Sequence, residues 1–340
     1  MINIDGIIYA LQPEGGGISG YTTRLIRYLQ GRDAGFQARV YGYHPFNEGE
    51  TNVSAHETRY YERIRKASVD PEATVFWSSY YRSPERDIPS VVTVHDMIAE
   101  RSSVTLRRIA ARIQKWKAIY EAAHIVCISE ATKRELIKTR AIRSGVEVSV
   151  IRHGVGPEFY VDGCINREDN LALFVGGRQG YKNFTNTVRA LANLPLIKLV
   201  CIGGGSATPA ERSIVDQLLP GRCDFLGSVT QAQLNELYNR ASVLLYTSTY
   251  EGFGLPILEG FAAGCPVLVC KGEAVCEVAG SAAFVARDGS AEAIRTELVR
   301  LLNDRTLREE KVCAGRERAA RLNWQSSFSA MLSILEATRR

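Results

Sequence analysis

The chain is 340 residues long, 45% hydrophobic and 23% charged, with 29 glycines, 11 prolines and a net charge of +5. That length suits two domains, the composition excludes a disordered or fibrous chain, and apolar runs such as 241–246 fall far short of the ~20 residues a membrane span needs. The charge excess is local, with +4 of the +5 inside residues 1–160, and no nucleic-acid partner is expected.

Short β-branched runs alternate with helical patterns from end to end, the pattern of parallel sheets crossed by helices. Strands are predicted at 2–9, 38–43, 74–77, 91–95, 125–128 and 146–151, and again at 171–175, 197–202, 223–226, 243–246, 267–270 and 283–285. Residues 154–170 are polar and contain Pro157, which suits a linker. The expected division is therefore 1–160, 161–323 and a final helix over 324–340, with Trp324, Phe328 and Leu335 at helical spacing. Residues 1–10 carry no positive charge ahead of their apolar stretch, so no secretory signal is read there and a cytoplasmic location is expected.

The first glycine cluster, Gly15-Gly16-Gly17-Ile18-Ser19-Gly20, follows the first strand and precedes a helical pattern. Backbone N–H groups at such a helix start can cradle phosphate. A dinucleotide fingerprint also wants an acid at the end of the second strand, where Tyr43-His44 stand instead, so the loop reads as a phosphate or sugar contact or as a structural turn. Val94-His95-Asp96 closes an apolar strand. There a neutral imidazole can hydrogen-bond a sugar hydroxyl with Asp96 orienting the ring; a satisfied edge histidine is the alternative. Residues 101–117 hold six basic side chains and no acid, with Leu106, Ile109, Ile113, Trp116 and Tyr120 at helical spacing. This is a basic amphipathic helix, either packed on its own core or in contact with anionic membrane lipid or a phosphate-bearing acceptor.

In the second half, the strand at 171–175 runs into Gly176-Gly177-Arg178-Gln179-Gly180-Tyr181-Lys182-Asn183. The two cations are either solvated surface charges or a clamp for a diphosphate, with a forked guanidinium and a point-charge ammonium on one anion. The most specific segment is Glu251-Gly252-Phe253-Gly254-Leu255-Pro256-Ile257-Leu258-Glu259: a glycine loop, a proline at a helix start and two glutamates. Glycines there let the backbone approach a ligand, and amides at the helix start point toward an anion. One carboxylate can reach a reacting sugar while the other accepts hydrogen bonds from ribose hydroxyls. None of the eight cysteines forms a CxxC pair and all five histidines precede Cys164, which favours reduced thiols over zinc.

Together these segments resemble the retaining nucleotide-sugar glycosyltransferases of the GT-B fold, glycosyltransferase family 4. The resemblance is carried by the Glu251-x7-Glu259 block, the loop near Gly16, His95-Asp96, Cys127-Ile128-Ser129-Glu130, His153-Gly154-Val155, Arg178 with Lys182, and Trp324. It implies two Rossmann-like parallel-sheet α/β domains facing a central cleft, an N-terminal acceptor-side domain and a C-terminal nucleotide-sugar domain, with the last helix packing back on the first. It implies that Arg178 and Lys182 neutralise the departing nucleoside diphosphate and that Glu259 binds its ribose. Glu251 and the amides of Gly252, Phe253, Gly254 and Leu255 would contact the transferred sugar, His95 would touch that sugar near the reacting carbon, and Gly16 and Gly17 would approach the diphosphate. Three residues separate Arg178 from Lys182, against four in the commoner family spacing.

The reaction implied is retaining transfer of a hexose to a hydroxyl of a glycan or lipid-linked acceptor in bacterial surface-polysaccharide synthesis of the O-antigen type. GDP-mannose is the favoured donor, and no metal is expected because no DxD-type acidic pair appears. A nucleotide-sugar epimerase of the same fold and a non-catalytic sugar-nucleotide-binding module are the alternatives.

Overall fold

The computed structural model describes residues 1–5, 21, 24–25, 28, 38–42, 53–57, 65–98 and 106–339. The chain divides into two units, Met1–His153 with Trp324–Arg340, and Gly154–Asn323. The expected glycine contacts Gly16 and Gly17 lie outside the described residues, as do 6–9 of the first expected strand.

Among its described residues the first unit has seven parallel strands: β1 (Ile2–Asp5), β2 (Ala38–Gly42), β3 (Val53–Glu57), β4 (Val75–Ser78), β5 (Ser90–Val94), β6 (His124–Cys127) and β7 (Glu147–Val150). Their order is β3-β2-β1-β4-β5-β6-β7. Strands β1, β4, β5 and β6 are buried at every position; β4, β5 and β6 are correspondingly rich in apolar residues, whereas β1 buries Asn3 and Asp5 in alternation with its two isoleucines. β3 was not expected, because Val53-Ser54-Ala55-His56-Glu57 carries only two apolar residues and lies at the sheet edge.

Helices α1 (Leu106–Glu121) and α2 (Glu130–Lys138) pack against this sheet. α2 begins where Ser129 accepts a hydrogen bond from the Thr132 amide, with Glu130 in the first turn and Lys138 in the last, complementing the helix dipole. α1 presents a different face from the one its apolar spacing suggests. Lys115, Ala118, Ile119 and the following Ala122 are buried, whereas Ile109, Ile113 and Tyr120 are 38%, 63% and 58% exposed. The two alanines let the helix sit close on Val92, Val94 and Ile125, which turns the bulkier stripe outward.

The second unit carries six parallel strands: β8 (Glu168–Val175), β9 (Lys198–Ile202), β10 (Cys223–Gly227), β11 (Ala241–Tyr246), β12 (Val267–Cys270) and β13 (Phe284–Ala286), ordered β10-β9-β8-β11-β12-β13. They are crossed by α3 (Phe184–Leu191), α4 (Pro209–Leu218), α5 (Gln231–Arg240), α6 (Leu255–Ala262), α7 (Glu273–Ala279), α8 (Ala291–Asn303) and α9 (Arg305–Arg321). Local sequence sets several helix starts. Thr208 with Glu211 and Thr230 with Gln233 form reciprocal capping boxes, Pro209 opens α4, and Ser290 caps α8. Phe174, Phe184, Leu199, Leu245, Leu268, Phe284 and Ile294 form one core, each worth about 1.5–3 kcal/mol of burial.

Residues 154–160, expected at the end of the first domain, group with the second unit. The Val155 amide donates to the Leu322 carbonyl at 2.9 Å, and the Tyr160 amide to Asn235 Oδ1 at 3.0 Å. The chain returns to the first unit in α10 (Trp324–Thr338), which buries Trp324, Phe328, Met331, Leu332 and Leu335. Ser327 donates to the Arg152 carbonyl at 2.6 Å. All eight cysteines are unbridged thiols, and burial pushes those of Cys127, Cys265 and Cys270 up to about 12.

Candidate active site

In the second unit the strand order reverses between β8 and β11, and open parallel sheets bind ligands outside the carboxyl ends of their strands at such a reversal. β8 delivers residues 176–183 there and β11 delivers 247–254; Ala172 pairs with Val243 and Leu173 with Leu244, so the two exits lie side by side. The Thr249 amide donates to the Tyr181 carbonyl at 2.8 Å, and the hydroxyls of Thr187 and Thr247 meet at 2.7 Å. Lys182 ends a short 3-10 turn, after which Asn183 takes a left-handed conformation (φ 64°) and donates to the Gly289 carbonyl at 2.7 Å.

This framework brings Lys182 Nζ to 2.6 Å from Glu251 Oε1, with side chains only 16% and 10% exposed. The ammonium lies over the rings of Tyr181 and Tyr246, 5.4 and 5.7 Å from their centroids. Tyr246 hydrogen-bonds Glu251; burial first, then that carboxylate, pushes the phenol well above its ordinary range, and Glu259 adds to the effect. Glu259, on α6, accepts from the Tyr238 hydroxyl at 3.0 Å. Each glutamate is thus held by a buried tyrosine. α6 starts at Gly254, whose φ of 119° and ψ of 58° suit glycine, and a Cβ there would come within 3.0 Å of Ile257 Cδ1. Gly252 and Phe253 are buried beside it, and Leu255 is half-buried.

Arg178 is not placed as the second arm of a clamp. Its side chain is 2% exposed. Nη1 donates to the Gly203 carbonyl at 2.8 Å, and Nη2 reaches the carbonyls of Gly204, Gly205 and Ser206 at 3.2, 2.9 and 3.1 Å. Nε lies 3.2 Å from Glu211 Oε2. The forked guanidinium is spent inside the protein because three successive left-handed glycines, Gly203 to Gly205, aim their carbonyls at it. Lys182 remains at the strand ends as the cation paired with Glu251.

In the first unit His95 follows β5 and is 4% exposed. Its Nε2 lies 3.0 Å from the Ser79 carbonyl, which only accepts, so Nε2 carries the proton. Burial lowers its pKa and keeps the ring neutral, leaving Nδ1 a buried lone pair with no hydrogen-bond partner among the described residues. Asp96 does not orient this ring by a hydrogen bond; its Oδ1 accepts from the Ile98 amide at 2.9 Å and the Ser79 carbonyl orients the ring instead. The buried Lys115 of α1 donates to the Asp96 carbonyl at 2.7 Å. His153 packs 5.7 Å from His95 and 5.2 Å from Trp324, and burial, followed by His95 and Arg24, lowers its pKa well below the ordinary imidazole value.

Ser79, Lys115, Tyr238 and Tyr246 were not singled out in the sequence. Tyr246 alone carried a signal there, a polar group closing an apolar strand next to the glutamate loop. Among the described residues, no group of three His, Cys, Asp or Glu is arranged to hold a metal ion.

Residues 161–318 match the family of glycosyl transferases group 1, and residues 15–159 match Glycosyltransferase Family 4. O-antigen chain mannosyltransferase B of Escherichia coli is 31% identical over 163 residues, 46% of this chain and 42% of that protein. O-antigen chain mannosyltransferase RfbU of Salmonella typhimurium is 26% identical over 182 residues, 52% of this chain and 51% of that protein. The chain therefore covers about half the length of these two relatives. Sucrose-phosphate synthase from Thermosynechococcus elongatus shares the fold, with a TM-score of 0.82 at 16% identity over 99% of this chain and 98% of that one. With two parallel-sheet units of GT-B type and family matches running from residue 15 to residue 318, the chain belongs to glycosyltransferase family 4.

Proposed function

We propose that the protein transfers a hexose, mannose, from GDP-mannose to a hydroxyl of a glycan or lipid-linked acceptor in surface-polysaccharide synthesis, with retention and without a metal. The observation that carries this reading is the Lys182–Glu251 pair at 2.6 Å, beside Glu259 at the strand reversal. An incoming diphosphate is the ligand that displaces a carboxylate from such an ammonium, and its departure frees Glu251 to accept hydrogen bonds from sugar hydroxyls. The names of the two O-antigen mannosyltransferases support the sugar and the pathway.

In the reaction, Lys182 neutralises charge on the leaving diphosphate in a half-buried site, where it acts more strongly than in bulk water. The amides of Gly252 to Leu255 face the sugar and diphosphate. Glu259, held by Tyr238, accepts from ribose hydroxyls, and the Nδ1 lone pair of His95 accepts from a sugar hydroxyl near the reacting carbon. Attack on the face the diphosphate leaves, assisted by that diphosphate, gives retention.

The acceptor side extends to an anionic membrane through residues 101–117, where Ile109 and Ile113 stand exposed near Arg112 and Lys117, with Tyr120 exposed one turn further on. No helix among the described residues is long and apolar enough to cross a membrane, and the proposed location is the cytoplasmic face. The test is nucleoside-diphosphate release from GDP-, UDP-, ADP- and dTDP-sugars, with and without a chelator, and product anomers read by NMR. Release from GDP-mannose with an α-linked product and no loss on chelation is expected. Inversion, chelator sensitivity, sugar release without acceptor transfer, or no turnover on any donor overturns the corresponding part of the reading.

A further inference from the structure

The geometry points to the backbone amides of Gly204, Gly205 and Ser206 as a binding wall for phosphate oxygens of the nucleotide donor, with Arg178 behind them as a positioning residue. This rests on the glycosyltransferase reading of the second unit and replaces direct contact between Arg178 and the diphosphate.

In a trans peptide unit the carbonyl of one residue and the amide of the next point in opposite directions, and the described chain contains no cis peptide. The carbonyls of Gly203, Gly204 and Gly205 converge on the Arg178 guanidinium at 2.8, 3.2 and 2.9 Å. The amides of Gly204, Gly205 and Ser206 are therefore turned away from it. All three residues are exposed, and none of these amides donates a hydrogen bond among the described residues.

Consecutive carbonyls point one way here because Gly203, Gly204 and Gly205 have φ of 80°, 72° and 70°, a left-handed turn closed to most side chains. At Gly204 a Cβ would fall 2.8 Å from Arg178 Nη1 and 3.1 Å from the Gly176 carbonyl, so the loop also lies hard against the start of the 176–183 segment. β9 pairs with β8, which places this loop at the same carboxyl edge as Lys182. A fixed positive charge on the carbonyl side polarises each peptide and strengthens its N–H as a donor to an anion. Lysine cannot replace Arg178 in this, because one ammonium cannot span four carbonyls and Glu211.

The test compares wild type, Glu211→Gln and Arg178→Lys by calorimetry with inorganic pyrophosphate, GDP and guanosine, and follows the Gly204 and Gly205 amides by NMR of 15N-glycine-labelled protein. In wild type, pyrophosphate is expected to move both amide signals downfield. Arg178→Lys should weaken pyrophosphate and GDP at least tenfold, with little change for guanosine. Glu211→Gln, which loosens the guanidinium without touching the wall, should weaken pyrophosphate and GDP about threefold. If Arg178→Lys fails to fold, Glu211→Gln and the wild-type spectra decide. Pyrophosphate binding that leaves both amides unmoved, or unchanged or tighter binding by Glu211→Gln, overturns the wall and leaves the glycosyltransferase reading standing. Failure of wild type to bind pyrophosphate or any nucleoside diphosphate overturns both.

Discussion

The Lys182–Glu251 pair is suited to a double-mutant cycle with Lys182→Met, Glu251→Gln and the double variant. With the charged atoms 2.6 Å apart, an effective dielectric of about 20 gives roughly 6 kcal/mol of gross attraction. The side chains are 16% and 10% exposed, so desolvation offsets most of that and leaves a coupling of about 1.5–3 kcal/mol. Lys182→Met strands a carboxylate beside the Tyr246 ring and should cost about 3–4 kcal/mol, the larger single effect. Glu251→Gln still accepts from the lysine and should cost about 2 kcal/mol. Urea unfolding of the four proteins measures the cycle. In GDP binding the two singles should diverge. Lys182→Met weakens the nucleotide, whereas Glu251→Gln, which no longer sets a negative charge against the incoming diphosphate, binds it up to about tenfold tighter while turnover falls. Additive stabilities, or weaker GDP binding by Glu251→Gln, would show that the carboxylate is not a placeholder for phosphate.

Gly254→Ala puts a Cβ at φ 119°, 3.0 Å from Ile257 Cδ1, and should lower unfolding stability by about 1–3 kcal/mol and reduce turnover more than donor affinity; a variant with wild-type stability and kcat refutes this. Burial holds His95 and His153 below the ordinary imidazole value of 6.5, so the unfolded chain takes up protons that the folded first unit refuses. Stability is then full above about pH 7 and declines as pH falls through 6.5 toward the folded values, a slope that His153→Phe should flatten in urea titrations at about pH 7.5 and 5.5. Ile113, 63% exposed on α1, should carry lipid contact: Ile113→Asp is expected to abolish sedimentation with anionic vesicles while leaving activity on a soluble acceptor intact, and unaltered sedimentation rejects the membrane face.

Of the thirteen strands among the described residues twelve were legible, most plainly the central ones such as β5, β11 and β12, because parallel strands covered on both faces are written almost wholly in apolar residues. β3 was not, since an edge strand such as Val53–Glu57 needs only a few apolar contacts. At the site, the glutamate loop was legible down to Gly254, whose left-handed backbone demands the residue the sequence supplies. The internal contacts of Arg178 were not legible, for a physical reason. A cation after a strand and beside glycines looks the same in sequence whether its fork points to a ligand or to carbonyls, and only the φ values of Gly203 to Gly205 decide it. Lys115 was hidden the same way: helical spacing favoured the isoleucine stripe as the packed face, and the small side chains of Ala118 and Ala122 reversed it.

Val155 forms an isolated parallel bridge with Asn323, and the rings of His153 and Trp324 lie 5.2 Å apart. The inserted unit thus begins and ends at one point, and so does the gap it leaves in its host. Residues 154–323 form a cassette with matched splice points: a related cassette can be exchanged there by recombination without reordering a strand in either sheet. Whatever the second unit recognises can then diversify in one step while the host sheet and its closing helix are kept.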